Sequence, residues 1–355
     1  MRINYFPIMK TTIAEMRALK KLSPDVLDKI TPIFELTKSR KSKNNQESCV
    51  FKKIDEIKSI ISERKFILDL TSIDSLSNEQ INSFQNDDNA FDNWCEFINS
   101  IRKQGVNVTP VLIAYPDSTI IDLDNELNKL CQDENKVAIR IPIYENDLDD
   151  LFKILKKIAT LRASLIEYII FDAGYIPSLD VDFGTLAENI SYFLEGTSLS
   201  ETKLIIASSS FPASALDKIQ GDKYNNHFDL DSIASYRKMT KLIKNKGFTD
   251  DFYYGDYACI HPNRNEGKAY NWIPRIDYPT IDVLFFSRVR REDGGYVECS
   301  KNITSLPDFK TENLKCWGIK EIIQTSMNNP GGLSPSYWIS VRSNIHMTRM
   351  TSIKW

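Results

Sequence analysis

From residue 3 to about residue 260 the chain alternates between short apolar runs rich in β-branched and aromatic residues and longer stretches whose apolar positions return every three or four residues. The runs are INYFPIM, ITPIFEL, KFILDL, VTPVLIAY, KVAIRIPI, EYIIFDA, KLIIASS and DFYYGDYACI. Among the stretches between them are TIAEMRALKKL, FKKIDEIKSIISER, AFDNWCEFINSIRKQG, LDDLFKILKKIATL and DLDSIASYRKMTKLIKNKG, each amphipathic on a helical period. Strands this continuously apolar are expected to be buried on both faces, as in a parallel sheet wrapped by helices. Eight such units predict an α/β chain folded as a (β/α)8 TIM-barrel-like domain over residues 1–260. A doubly wound open sheet is the competing arrangement. No glycine-rich dinucleotide fingerprint follows the first strand, and polar strand ends recur along the whole chain rather than at one switch point, so the closed barrel is preferred.

Two stretches break the rhythm. SRKSKNNQES follows the second strand and therefore falls on the side of the barrel where strands end; it reads either as a solvated flexible loop or as a mobile lid or phosphate-contacting loop. After residue 260 the alternation stops. HPNRNEGKAYNWIPRIDY leads to the apolar run TIDVLFFSRVRR and a turn at EDGG, and the end, NPGGLSPSYWISVRSNIHMTRM, reads as a turn plus strands. Residues 261–355 are thus expected to form a C-terminal extension packed on the barrel rather than an independent domain.

Composition adds few exclusions. With 42% hydrophobic and 26% charged residues in 355, the chain can bury a large core, and a formal charge of -3 argues against coating nucleic acid through net charge while leaving room for a local basic cleft. The six cysteines include no CxxC pair and read as reduced thiols of a cytoplasmic protein. MRINYFPIMK lacks the apolar core of a secretory signal, and no run approaches the ~18 apolar residues of a membrane span, so no membrane partner is expected.

Candidate chemistry lies at the strand ends. Side chains alternate across a strand, so Glu35 shares a face with Ile33, Asp69 with Ile67, Arg140 with Ala138, Asp172 with Ile170, Ser208 with Ile206 and Asp256 with Tyr254. If those faces point inward, the barrel mouth carries Glu35, Asp69, Asp172 and Asp256 beside Arg140 and Ser208, with Lys10 directly after the first strand. One reading is a structural ion-pair ring. The other is a site in which Glu35, Asp69, Asp172 and Asp256 are catalytic and Glu35, Asp69 and Asp172 hold Mg2+ or Mn2+, while Lys10, Arg140 and Ser208 bind substrate. A metal-free variant would use paired carboxylates on a glycoside in a groove lined by Tyr115, Tyr175, Tyr254 and Tyr257. A second basic group, Arg264, Lys268, Arg275, Arg288, Arg290 and Arg291, is interleaved with Tyr270, Trp272 and Tyr278 and suits phosphate or base stacking, with Arg288 a further substrate-binding candidate. His261 in CIHPN is a candidate general base, whereas HExxH, a P-loop and a zinc pattern are all missing from the sequence. SSSFP has no GxSxG elbow around it and is a weak nucleophile motif.

Taken in order, YFPIMK followed by EMRAL, ITPIFEL, FILDL, VTPVL, VAIRI, IIFDAG, SSSFPAS, Arg237 in SYRKM, YYGDYACIHP and CWGIKEI…GGLSPSYWISVRSNIHMTR resemble the beta family proteins found in T4-type phages and in bacteria. The resemblance spans nearly the whole chain. It departs from the family pattern at Lys238, where Trp-Glu commonly follows the arginine, and near the end, where His346 stands without a second histidine. It implies a phage-associated or phage-defence-associated protein and supplies no reaction. Two functions follow as expectations. The first is a metal-dependent hydrolase of a nucleotide or nucleic acid at the barrel mouth, with Lys10, Arg140 and Arg237 on the phosphate. The second is a non-catalytic binding or sensor protein that recognises a phage component or a protein partner from a phage-defence system through its Tyr-, Trp- and Arg-rich C-terminal segments.

Overall fold

A computed structural model describes residues 5–39, 49–144, 149–218, 224–263 and 272–353. The strands among them are β1 (Tyr5–Lys10), β2 (Ile33–Leu36), β3 (Phe66–Leu70), β4 (Val108–Pro110), β5 (Val137–Pro142), β6 (Ile166–Tyr175), β7 (Lys203–Ser209), β8 (Asn225–Asp229), β9 (Phe252–Asp256), β10 (Arg275–Pro279) and β11 (Val283–Arg288). Eight of them form one all-parallel sheet in the order β4-β3-β2-β1-β9-β7-β6-β5. Its two edges meet through a parallel bridge between Val111 and Ala138, where the Leu112 N–H donates to the Ala138 carbonyl at 2.8 Å. The result is a nearly closed (β/α)8-like barrel, and its eight strands are the eight apolar runs of the sequence.

The strands are apolar on both faces because both are covered. Phe6, Ile8, Ile33, Ile67, Ala138, Ile170, Ile205 and Ala207 form a cluster inside the barrel, while Tyr5, Met9, Phe34, Leu68, Phe171, Ile206 and Tyr254 belong to the larger core between strands and helices. The helices Ile13–Lys20, Phe51–Ile61, Asp92–Lys103, Asp149–Leu161 and Ser232–Asn245 lie within the amphipathic stretches. Two more, Ile120–Leu130 and Phe183–Leu194, complete the crossovers after β4 and β6; the first starts at a capping box made by Thr119 and Asp122.

The remainder builds a second core. β8, β10 and β11 pair antiparallel in the order β10-β11-β8, so this small sheet takes one strand from the connection between β7 and β9. Ile276, Tyr278, Tyr296, Ile322, Trp338, Val341 and Ile345 pack together beneath it. TIDVLFFSRVRR forms β11 followed by the turn at Arg291–Asp293. The C-terminal segment differs from expectation: Pro335–Met350 is a 16-residue α-helix, started by Ser334 accepting from the Tyr337 N–H, with Pro335 in the first turn. Its β-branched and aromatic content imitates a strand, and because it is buried on several sides at once it lacks the one-sided apolar stripe that marks a helix. Of the lysine-rich segment after β2, residues 40–48 lie outside the described residues, as do Arg264, Lys268 and Tyr270.

Candidate functional site at the barrel mouth

The register of the parallel sheet puts Lys10 beside Glu35 and Glu35 beside Asp69, one row of inward charged side chains at the ends of β1, β2 and β3. On the opposite wall Asp172 is opposite Pro142 and Ala207, and Arg140 is opposite Ile170, one inward layer lower. The length of an arginine bridges that layer. Arg140 Nη1 donates to Asp69 at 2.7 Å, Nη2 to Glu35 at 2.9 Å and to Asp172 at 2.7 Å, and Nε to Asp172 at 3.0 Å. Tyr257 donates its hydroxyl to Asp172 at 2.6 Å and lies 2.9 Å from Arg140 Nη2. The other Asp172 oxygen accepts from the Gly174 N–H at 2.9 Å, a bond made possible by the positive φ of 58° at Gly174. One guanidinium therefore ties β2, β3, β5, β6 and the chain after β9 together.

Electrostatics follow from this geometry. Burial works against the charge of Arg140, but Tyr257, Asp172, Glu35 and Asp69 outweigh it and hold the guanidinium protonated. Burial also penalises the Glu35 carboxylate, yet Lys10 and Arg140 together bring it below the usual carboxylate range. Asp69 has Arg140 alone, and there burial wins and moves its carboxyl up.

Lys10 forms the edge of this network. Its ammonium is 3.1 Å from Glu35, donates to the Pro262 carbonyl at 2.5 Å and sits 5.8 Å from the Tyr257 ring centre. Beyond it opens a cleft of about 1400 Å³ lined by Lys10, Glu15, Thr37, Lys53, His261, Arg275 and Arg342 among others. Arg140 and its three carboxylates are not among the lining residues; they lie behind Lys10. Glu15, in the first turn of Ile13–Lys20, is buried beside the cleft, where desolvation lifts its carboxyl from 4.5 to about 7 against the opposing pull of Lys10. Thr12 donates to it at 3.2 Å. His261 packs against Tyr175 with ring centres 4.7 Å apart and the rings tilted by 49°, and its Nδ1 accepts from the Asn263 N–H at 3.1 Å.

Five candidates therefore converge: Lys10, Glu35, Asp69, Arg140 and Asp172. Two of the strand-end candidates do not, which corrects the alternation expected for β7 and β9. Ser208 is the register partner of Asp256, and both share the outer face with Ile206 and Tyr254, so Ala207, Gly255 and Tyr257 are the inward residues. Asp256 instead accepts from Tyr5, from Tyr254 at 2.7 Å, from the Ala258 N–H at 2.8 Å and meets His346 at 2.6 Å, locking the C-terminal helix to the outside of the barrel. Arg237 is exposed on Ser232–Asn245 and Arg288 ends β11 opposite Arg275; neither lines the cleft. Of the tyrosines, Tyr254 faces outward, Tyr115 donates to the Gln85 carbonyl at 2.9 Å, and Tyr257 belongs to the arginine network.

The residues that alternation along strands does not reveal are Glu15, Tyr257 and Arg342. Glu15 carries a readable signal, since it shares a helix face with the buried Ala18 and Leu19 at i+3 and i+4. As for a metal, Glu35, Asp69 and Asp172 surround a guanidinium that already supplies their counter-charge, and among the described residues no group of three or more His, Cys, Asp or Glu side chains is arranged to hold an ion.

The chain has relatives among known proteins. The chain is 27% identical to Protein beta of Enterobacteria phage P4 over 356 aligned positions, covering 99% of this chain and 93% of that protein. Among solved structures it is similar to the spore cortex-lytic enzyme SleL of Bacillus megaterium QM B1551, at 10% identity and a TM-score of 0.36, covering 97% of this chain and 74% of SleL; so slight a likeness carries no chemistry across. The family model described as Beta protein matches residues 5–352, and the chain belongs to the Beta protein family.

Proposed function

We propose that this member of the Beta protein family is a hydrolase that takes a phosphate-containing substrate, a nucleotide or nucleic acid, into the cleft at the barrel mouth. The observation that carries this reading is the lining: Lys10, Lys38, Lys53, Arg275 and Arg342 line the cleft together with Glu15 and Glu79, Lys53 being paired with Glu56 at 2.9 Å and Arg275 and Arg342 sharing Asp277, and Glu15 titrates near neutrality. In this reading Glu15 in its ionised form takes a proton from the attacking water as the new P–O bond forms. As the old P–O bond breaks, the leaving oxygen on the opposite side of phosphorus takes its proton from solvent water, and Glu15 gives its own proton up to solvent. Lys10, fixed by Glu35, offsets the charge that develops at phosphorus. The Arg140 network is the scaffold that holds Glu35 and the strand ends in place. A divalent ion such as Mg2+ or Mn2+ would arrive with the substrate's phosphates rather than be held by Glu35, Asp69 and Asp172.

The test is turnover of nucleotides and of single- and double-stranded DNA and RNA by the purified chain, with and without Mg2+ or Mn2+. Glu15→Gln and Lys10→Met should each lower turnover by about 10²–10⁴-fold. Arg237→Ala, on the outer helix layer, should leave it unchanged. Phosphate-ligand binding without any turnover would favour the second reading, a binding or sensor protein; what supports that one is the complete internal pairing of Arg140 with Glu35, Asp69 and Asp172, which leaves those groups no free acid or base.

A further inference from the structure

The far wall of the cleft is built by the second core, and it carries an excess of positive charge. Arg275 on β10 contacts both oxygens of Asp277 at 2.9 Å, and Arg342 on Pro335–Met350 donates to the same Asp277 carboxylate at 2.6 Å. Two guanidiniums thus share one carboxylate. Arg342 is only 2% exposed, its Cζ lies 4.0 Å from the centre of the Phe211 ring, and its Nε has no hydrogen-bond partner among the described residues. Arg275, Arg342 and Phe211 all line the cleft. A positive excess held this deep is costly unless an anion completes it. The barrel contributes a separate set, Lys10 from β1, Lys38 after β2 and Lys53 from Phe51–Ile61, and Lys38 is exposed. The space between the sets, about 1400 Å³, exceeds the roughly 300–1,000 Å³ of a pocket for one small ligand.

Resting on the phosphate reading above, we propose that the cleft holds two phosphoryl groups at once, one on the Lys10 side and one on the Arg275–Arg342 side, so that its ligand is a nucleoside bearing separated phosphates, the repeating unit of a nucleic-acid strand. A guanidinium pair is suited to the second group because it offers planar, paired donors to phosphoryl oxygens. The Phe211 ring, with Arg342 Cζ over it, adds an aromatic surface beside it.

Calorimetric titration of the full chain with adenosine 3′,5′-bisphosphate, adenosine 5′-monophosphate and inorganic phosphate tests this at one fixed ionic strength. The bisphosphate should bind about tenfold or more tightly than the monophosphate, since its second group binds intramolecularly. Arg275→Met, at a half-buried position, should abolish that advantage while changing monophosphate affinity by no more than about twofold, and Lys10→Met should weaken both ligands. If Arg275→Met does not fold, Arg275→Lys, which keeps the charge but loses the planar fork, should reduce the advantage. Equal affinity for the two nucleotides, or an advantage that survives the Arg275 variants, overturns the two-phosphate site and leaves the phosphate reading standing. Failure of all three probes to bind overturns both.

Discussion

Lys10 interacts with Glu15 and with Glu35, yet the two carboxyls move in opposite directions. Glu35 has Lys10 and Arg140 against its burial and stays ionised. Glu15 is also desolvated, has Lys10 as its one cation beside the Thr12 hydroxyl and is further raised by Glu35, so it titrates near 7. Because its folded value lies above the unfolded 4.5, its contribution to stability is complete below about pH 4.5 and is lost as pH rises through about 7. That displacement corresponds to about 3 kcal/mol at roughly 1.4 kcal/mol per pH unit. Glu15→Gln mimics the neutral form, so it should raise stability by up to about 3 kcal/mol at about pH 8 and by almost nothing at about pH 4.5, as read from urea unfolding at both values. An equal effect at the two pH values would mean that Glu15 is not the titrating group. At this scale the sequence was legible in five of the mouth residues, because Lys10 closes β1 and Glu35, Asp69, Arg140 and Asp172 stand near the ends of β2, β3, β5 and β6, each alternating with an inward Ile or Ala. It failed at Ser208 and Asp256, since strands buried on both faces show the same apolar run inside and out, and nothing along β7 or β9 marks Ala207 and Gly255 as the inward pair.

At the scale of elements, the amphipathic helices and the eight apolar runs were readable because each obeys one period along the chain. Pro335–Met350 was not, since its neighbours surround it: the helix Ile13–Lys20, β10 and the helix Trp317–Ser326 all pack against it. One close contact is at Gly318, where an added Cβ would stand 2.5 Å from Ile345 Cγ1 and 2.7 Å from the Val341 carbonyl oxygen. The second of these is backbone and cannot rotate aside. Gly318→Ala, which in an exposed helix would stabilise by about 1 kcal/mol, should here destabilise by roughly 1–3 kcal/mol through overpacking, measured as a lowered denaturant midpoint. A neutral or positive effect would show that the two helices can move apart. The strand β8 was equally hidden: NNHFD has little apolar character and becomes a strand only because β11 offers it an edge.

For the molecule as a whole, the barrel and the second core are joined by backbone and by side chains. β8 leaves the barrel between β7 and β9 and returns to it, Asn344 donates to the Ala18 carbonyl at 3.1 Å, and Asp256 on the barrel's outer face meets His346 on the C-terminal helix. Removing one core would leave these buried polar groups without partners, so thermal unfolding should be a single transition in which the signals of Trp94, in the barrel's outer core, and of Trp338, in the second core, change together. Two separated transitions would show that the second core unfolds by itself. The fold class, the positions of eight strands and the location of charge at their ends were written into the chain locally, through periodicity and the residue that closes each apolar run. Which charges meet was not, because pairing across a barrel depends on the register between strands that are distant in sequence, and a shift of one residue turns a side chain from the mouth to the helix layer. The cleft itself was less visible still: Glu15 comes from Ile13–Lys20, Lys53 from Phe51–Ile61, His261 from a loop and Arg342 from a segment more than 300 residues after Lys10, and only closure of the barrel and docking of the second core bring them to one cavity.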